Sequence, residues 1–447
     1  MKNAATLSKT EKESIGLLQI GTFLEYFDFT LYVHMAVILN DVFFPKTDTY
    51  SKALLASFAF SMAYIVRPIG SFIFGILGDF WGRKSNIIMT TMMMSVSSFF
   101  LACMPTYAQI GFKASIGVIG CRIIQGISSA VEVVGAKIYL AESTKAPKSY
   151  FYCGLISVSI YAGGFVALSL CSFMMFIRPD DGWRYVFFLG SGIAVIGSMA
   201  RTRLKESPEF LNALKKANVT KRKALTIVEA FRVSKRNVIS YLMIEMLSPI
   251  LVFVSFFYSG EFLAKNYGYE PKQIIFHNTL ISLVGFTSTT FIAFLTKLFF
   301  PIKMLRFSAL TLLCVLPFVP SLIHGSSSVW QIFAVQAFLF SIDLSVGAAV
   351  FVRGVPTIGR YTVLGTSFSL ARAIGAVFTS FICVMLGEKF GFTGVACLLG
   401  FMACLYLLGL HLFVPCEEDQ RIEKEYYCKK RFRFFPALFP QEQKNIN

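Results

Sequence analysis

The chain has 447 residues, 55% hydrophobic and 15% charged, with a formal net charge of +17 and a mean hydropathy of +0.64. A soluble domain is about one quarter charged, so a water-facing globule, a collagen-like rod and a disordered chain are excluded. At about 20 apolar residues per membrane-crossing helix, with a loop after each, this length holds about twelve spans. The apolar runs are continuous rather than alternating, which argues against a porin-type barrel.

The polar opening MKNAATLSKTEKES has no short apolar core followed by a cleavage site. It is not read as a removable signal, and the first apolar run is expected to be an uncleaved anchor. Spans are predicted near 15–40, 53–78, 86–105, 114–141, 150–177, 185–200, 237–264, 273–295, 303–323, 329–352, 361–387 and 391–415. The organisation expected is a cytoplasmic N-terminus over 1–14, a first six-helix bundle over 15–204, a cytoplasmic linker over 205–236, a second bundle over 237–415 and a cytoplasmic tail over 416–447. The fold class is thus an all-α membrane protein of twelve transmembrane helices in two six-helix bundles.

Loops after even-numbered spans carry twenty Lys or Arg residues, against eight after odd-numbered spans. By the positive-inside bias, the even loops and both termini are expected to be cytoplasmic. The same bias explains the net charge without nucleic acid. The linker is expected to tether the halves through an amphipathic helix along the inner surface. The tail, with its basic cluster KKRFRF (429–434), is expected to lie on the membrane surface or to be disordered. An internal repeat links Tyr150, Gly154 and Gly164 to Tyr361, Gly365 and Gly375 at a spacing of 211. With the six-plus-six layout, it points to two related bundles around a central pathway.

Eight of the ten Cys fall within apolar runs and read as small buried residues. The four His form no ligand cluster, so no metal is expected. No phosphate-binding glycine loop or nucleophile–base set is evident either, so neither an enzyme nor a cofactor is expected.

Four basic residues remain inside spans: Arg67, Arg122, Lys137 and Arg372. The acids there are Glu25, Asp28, Glu132, Glu245 and Asp343, with Glu261 near an end. Each costs about 2.5–3.5 kcal/mol at mid-helix on insertion scales, so they are expected to face a polar interior. On an unbroken fourth span, Arg122, Gln125, Ser129 and Glu132 fall within an arc of about 80° and form a stripe about 15 Å long. Lys137 lies off that arc near the cytoplasmic end and reads as a snorkelling side chain. Glu25, Asp28 and Tyr32 share one face of span 1, and two carboxylates so close suit proton exchange. Arg372 is suited either to pairing with Asp343 or Glu245 or to clamping a substrate carboxylate.

The loop GILGDFWGRK (75–84), with Gly75, Leu77, Gly78, Asp79, Gly82, Arg83 and Lys84, resembles the signature between spans 2 and 3 of the major facilitator superfamily. GTFLEYFDFTLY (21–32), RPIGSFIFG (67–75), RIIQGISSAVE (122–132), DGWRYVFFLG (181–190) and RLKESPEF (203–210) resemble the metabolite:proton symporter family, in its proline/betaine transporter branch. The resemblance implies a monomeric protein of the bacterial inner membrane that moves a small zwitterion inward by alternating access, with the proton as coupling ion. It matches Glu25, Asp28, Arg67, Arg122, Gln125 and Glu132 to polar residues of the family pattern, and Asp79, Gly82 and Arg83 to a gate. Three features depart from that pattern. Ala130 and Val131 replace paired glycines, the second-half loop around 295–304 lacks the gate's acid and glycines, and the tail has no sustained heptad. A dicarboxylate or other organic-acid symporter of the same fold, or a transport-inactive membrane sensor or scaffold, are the other readings open from sequence.

Overall fold

The computed structural model describes residues 9–45, 64–178, 181–218, 223–323, 328–342 and 346–427, and no strand occurs among them. The first half runs through α1 (Lys9–Phe43), α2 (Arg67–Phe80), α3 (Arg83–Cys103), α4 (Phe112–Ser129), α5 (Glu132–Ser143), α6 (Lys148–Ile177) and α7 (Gly182–Arg201). Two short helices, α8 (Pro208–Asn218) and α9 (Lys223–Val233), lead into the second half. That half comprises α10 (Lys235–Glu245), α11 (Leu247–Val252), α12 (Ser259–Tyr267), α13 (Pro271–Leu295), α14 (Pro301–Val315), α15 (Val319–Leu322), α16 (Val329–Ser341), α17 (Ala348–Arg353) and α18 (Arg360–Leu412). A last helix, α19 (Glu417–Ile422), lies in the tail.

These elements account for the twelve expected spans in order. Helices α4 and α5 make the fourth span, α10 to α12 the seventh, and α14 with α15 the ninth. Helix α18 carries two spans. Its 53 residues would stretch about 80 Å if straight, far beyond a bilayer of about 30 Å. Gly391 divides it with φ 59° and ψ −151°, a backbone conformation open in practice only to glycine. Residues 53–63 of the second expected span, and Asp343 in the tenth, lie outside the described residues.

Within the first half, α1 packs along α6 and α3 along α7. The two halves meet along two seams, α6 against α13 and α2 against α18. Tyr150 and Tyr361, the residues paired by the 211-residue spacing, are both fully buried at the linker ends of these seams.

Over the linker, α8 packs on α5 and α9 on α18. One expectation is corrected. In the tail, residues 416–427 fold against the bundles, with Asp419 and Tyr427 buried. The cause is polar pairing, since both side chains find partners in the membrane domain. The basic cluster 429–434 lies outside the described residues.

Candidate functional site

Between the halves lies a cavity of about 110 Å³. The first half lines it with Tyr26, Phe29, His34, Tyr64, Lys137 and Tyr161, and the second half with Glu245, Ser248, Phe256, Phe257, Phe340 and Arg372. Arg372 joins the two walls. Its Nη1 donates to Tyr26 Oη at 3.1 Å, its Nη2 reaches Ser248 Oγ at 3.4 Å, and its Nε stands 3.6 Å from Glu245. The guanidinium also lies 4.4 Å over the Phe368 ring. Of the two acids expected as its partner, Glu245 is the one the described residues show.

Beside the cavity, the first half encloses two polar networks, both reached from α1. In one, Asp28 accepts hydrogen bonds from Ser98 Oγ at 2.5 Å and Gln125 Nε2 at 2.9 Å. Gln125 Oε1 in turn accepts from Arg122 at 2.8 Å, and that guanidinium lies 3.6 Å over the Tyr32 ring. In the other, Glu132 is bonded to Arg201 at 2.5 Å and to Thr91 Oγ1 at 3.3 Å, and Arg201 also contacts Thr91. Two voids of about 10 Å³ each border these networks, room for about one water apiece. Glu25, Asp28 and Glu132 line the first void, and Asp28, Arg67 and Arg122 line the second. Among the described residues, Glu25 Oε2 and two donors of Arg122, Nε and Nη2, have no protein partner. Arg67 stacks on the Phe29 and Tyr64 rings at 4.8 and 4.9 Å, between the second void and the cavity wall.

The linker end of the cavity is shut by charge. Arg83 Nη1 bonds Asp79 at 2.9 Å and the Gly78 carbonyl at 2.7 Å, while Nη2 reaches Glu142 at 3.4 Å and the Thr357 carbonyl at 3.1 Å. Asp79 crosses to the second half, where Thr362 donates to it from both N (2.9 Å) and Oγ1 (2.7 Å). Arg360 closes the set on Glu142 at 3.1 Å and Glu209 of α8 at 3.0 Å. Gly82 makes the turn with φ 108°, and a β-carbon there would run into the Glu206 carboxylate. That carboxylate accepts from the backbone N–H of Arg83 (3.0 Å) and Lys84 (3.2 Å), capping α3 from outside its own helix. Gly75 and Gly78 lie against Thr362 and Tyr361, where a β-carbon on either would crowd the other half. At the far end, a cleft of about 1040 Å³ opens between α6, α13 and α16.

The structure thus brings together Asp28, Tyr32, Arg122 and Gln125, sets Glu25 and Glu132 around one void, and places Arg372 in the cavity. The fourth span bends at Val131 (φ −116°, ψ −6°), with Arg122, Gln125 and Ser129 on one void and Glu132 on the other, Asp28 bordering both. Arg122 turns to Gln125, and Glu132 turns to Arg201. Two readings change. Arg201, counted by sequence among loop cations, is 0% exposed at the end of α7. Lys137 does not snorkel. It is 2% exposed and lines the cavity, because the second half covers the face through which it would reach water.

The pattern described as Major Facilitator Superfamily matches residues 18–361. The proline/betaine transporter of Salmonella typhimurium (strain LT2) is 26% identical over 386 residues, covering 82% of this chain and 76% of that protein. The proline/betaine transporter of Escherichia coli (strain K12) is 27% identical over 388 residues, with the same coverage. Among solved structures, the proton:xylose symporter XylE superposes with a TM-score of 0.73 at 15% identity, over 90% of this chain and 94% of that one. The human organic anion transporter TETRAN superposes with a TM-score of 0.66 at 16% identity, over 91% and 100%. This chain belongs to the Major Facilitator Superfamily.

Proposed function

We propose that the protein is a proton-coupled symporter that imports a small zwitterion of the proline or glycine betaine type by alternating access. The observation that carries this reading is Arg372, held between Glu245 and Tyr26 in a cavity walled by aromatic rings of both halves. A carboxylate can exchange with Glu245 or Tyr26 on that guanidinium, because arginine recognises carboxylates in a fixed, paired geometry. The ring faces suit the cationic end of the same solute. The names of the relatives point to the same solute class.

Asp28 and Glu25 are the proton carriers in this reading. Asp28 borders both water-sized voids and Glu25 borders one of them, so a proton can pass between the two carboxyls through a single water. Glu132, tied to Arg201, sets the field around Glu25. In this reading the shut end is the cytoplasmic one and both termini are cytoplasmic in a bacterial inner membrane, which the Lys and Arg bias of the loops supports. In this reading the working unit is a monomer, with the proton as coupling ion and no other cofactor.

A second reading, an organic-acid:proton symporter, is favoured by one observation. Lys137 and Arg372 give the cavity lining two cations against the single acid Glu245 among the described lining residues. Uptake of labelled proline into proteoliposomes under an inward proton gradient tests the pair. Competition by glycine betaine supports the first reading, and competition by 2-oxoglutarate alone supports the second. Asp28→Asn is expected to abolish gradient-driven accumulation while keeping solute exchange. Accumulation at the wild-type level in that variant would remove Asp28 from the proton path.

A further inference from the structure

The shut mouth has two corners. At the first, Asp79 crosses from α2 to α18, and Arg83 lies 5.3 Å over the Tyr361 ring. The second corner is its counterpart in the internal repeat. Tyr150 on α6 corresponds to Tyr361, and Arg353, ending α17, stands 211 residues after Glu142, near the end of α5. The charge at that position is therefore inverted. An arginine buried there needs a carboxylate, and the loop LTKLFFPIKM (295–304), counterpart of the first gate loop, contains none.

The carboxylate comes from the tail. Asp419, 0% exposed, takes Arg353 Nη1 at 2.9 Å and the Tyr150 hydroxyl at 2.5 Å on the same oxygen. Arg353 lies 5.6 Å over the Tyr150 ring and donates across the seam to Ser149 Oγ at 2.5 Å. Two further contacts fix the tail to the second half, Glu423 with Lys303 at 2.8 Å and Tyr427 Oη with the Thr296 carbonyl at 2.8 Å. Asp419 thus joins a residue of the first half, Tyr150, to one of the second, Arg353, as Asp79 joins α2 to α18.

We propose that residues 416–427 are the second half of the linker-side gate and that Asp419 is its acid. It is a positioning residue that holds this mouth shut in parallel with Asp79 and releases whenever the halves rock apart. Rigid-body rocking separates both corners together, so each set of charge-assisted bonds biases the same equilibrium. The proposal is independent of which solute the cavity takes.

Hydrogen exchange of the full-length protein, read by mass spectrometry on wild type, Asp419→Asn and Asp79→Asn, tests the coupling without any ligand. Asp419→Asn is expected to speed exchange at least threefold at the far corner, in the peptide spanning 357–366. Asp79→Asn is expected to do the same in the tail peptide spanning 416–427. The exchange of charge in Asp419→Arg with Arg353→Asp should bring residues 357–366 back towards the wild-type rate. If Asp419→Asn does not yield folded protein, Tyr427→Phe, which removes one tail contact, should act in the same direction. Loosening confined to each variant's own corner would show a tail that merely packs, and would overturn the proposal.

Discussion

Glu132 and Arg201 meet at 2.5 Å in the interior of the first half, both almost fully buried and 69 residues apart in the chain. Removing one partner of a buried pair leaves the other charged and unpaired, at a cost of about 3–5 kcal/mol. Glu132→Ala is therefore expected to lower the unfolding temperature sharply, and Glu132→Gln to reduce uptake. The double variant Glu132→Gln with Arg201→Gln should recover part of the lost stability, because no bare charge remains. Thermal unfolding of the purified variants decides it. Equal destabilisation in the single and double variants would mean that the pair is not what holds these helices.

Much of this site is legible in the sequence. Glu25 and Asp28 stood out because carboxylates are costly at membrane depth, and Asp79 with Arg83 because they flank a glycine-containing turn, in the loop 75–84, that brings the two ends of its helices together. What escaped was partnership across elements. Arg201 ends its span, so a charge count by loops assigns it to water. Lys137 was visible as a charge in an apolar run, but its cover comes from the other half of the molecule. Asp419 sits in a polar tail with no periodicity. The one sequence signal for it was Arg353 in the repeat position of Glu142, an arginine that needed an acid.

Asp79 is the most heavily bonded acid of the gate, accepting from Arg83, Tyr361 and Thr362. Asp79→Asn keeps the shape and removes the charge. Hydrogen bonds to charged groups contribute about 1.5–3 kcal/mol, so the shut state should lose roughly 10- to 150-fold in population relative to the open one. The expected readout is a shift towards the open distance between spin labels placed on α2 and α18 at the linker end. Unchanged distance distributions would place the closing energy elsewhere.

Lys137 gives a selectivity prediction. In the cavity it adds a second cation to Arg372, and an ammonium in a confined site favours a carboxylate-bearing solute. Lys137→Met keeps the length of the side chain and removes its charge. Half-saturating concentrations of carboxylate solutes should rise about tenfold or more, while uncharged analogues such as prolinamide should be little affected. Lys137→Arg should retain the preference. The check is competition of labelled solute uptake by matched acid and amide pairs, and an unaltered ratio in Lys137→Met would take this residue off the binding surface.

Cys416 offers a native reporter for the tail. It precedes α19, outside the spans, and its thiol donates to Asp419 Oδ2 at 3.1 Å. Burial pushes this thiol up to about 11 from an ordinary 9, with the Asp419 charge adding to the rise. The thiolate is the reactive form, so the docked tail should alkylate slowly at pH 7.5. Lowering the pKa from about 11 to about 9 raises the thiolate fraction on the order of a hundredfold. Asp419→Ala, which frees the tail, should therefore speed maleimide labelling of Cys416 by about that factor and move its pH midpoint down. The linkage has a definite sign. A group whose pKa is higher when docked favours docking below about pH 9 and loses that contribution as pH rises towards 11. Wild-type labelling should consequently steepen above pH 9 as the tail itself releases, whereas labelling in Asp419→Ala should follow an ordinary thiol curve throughout.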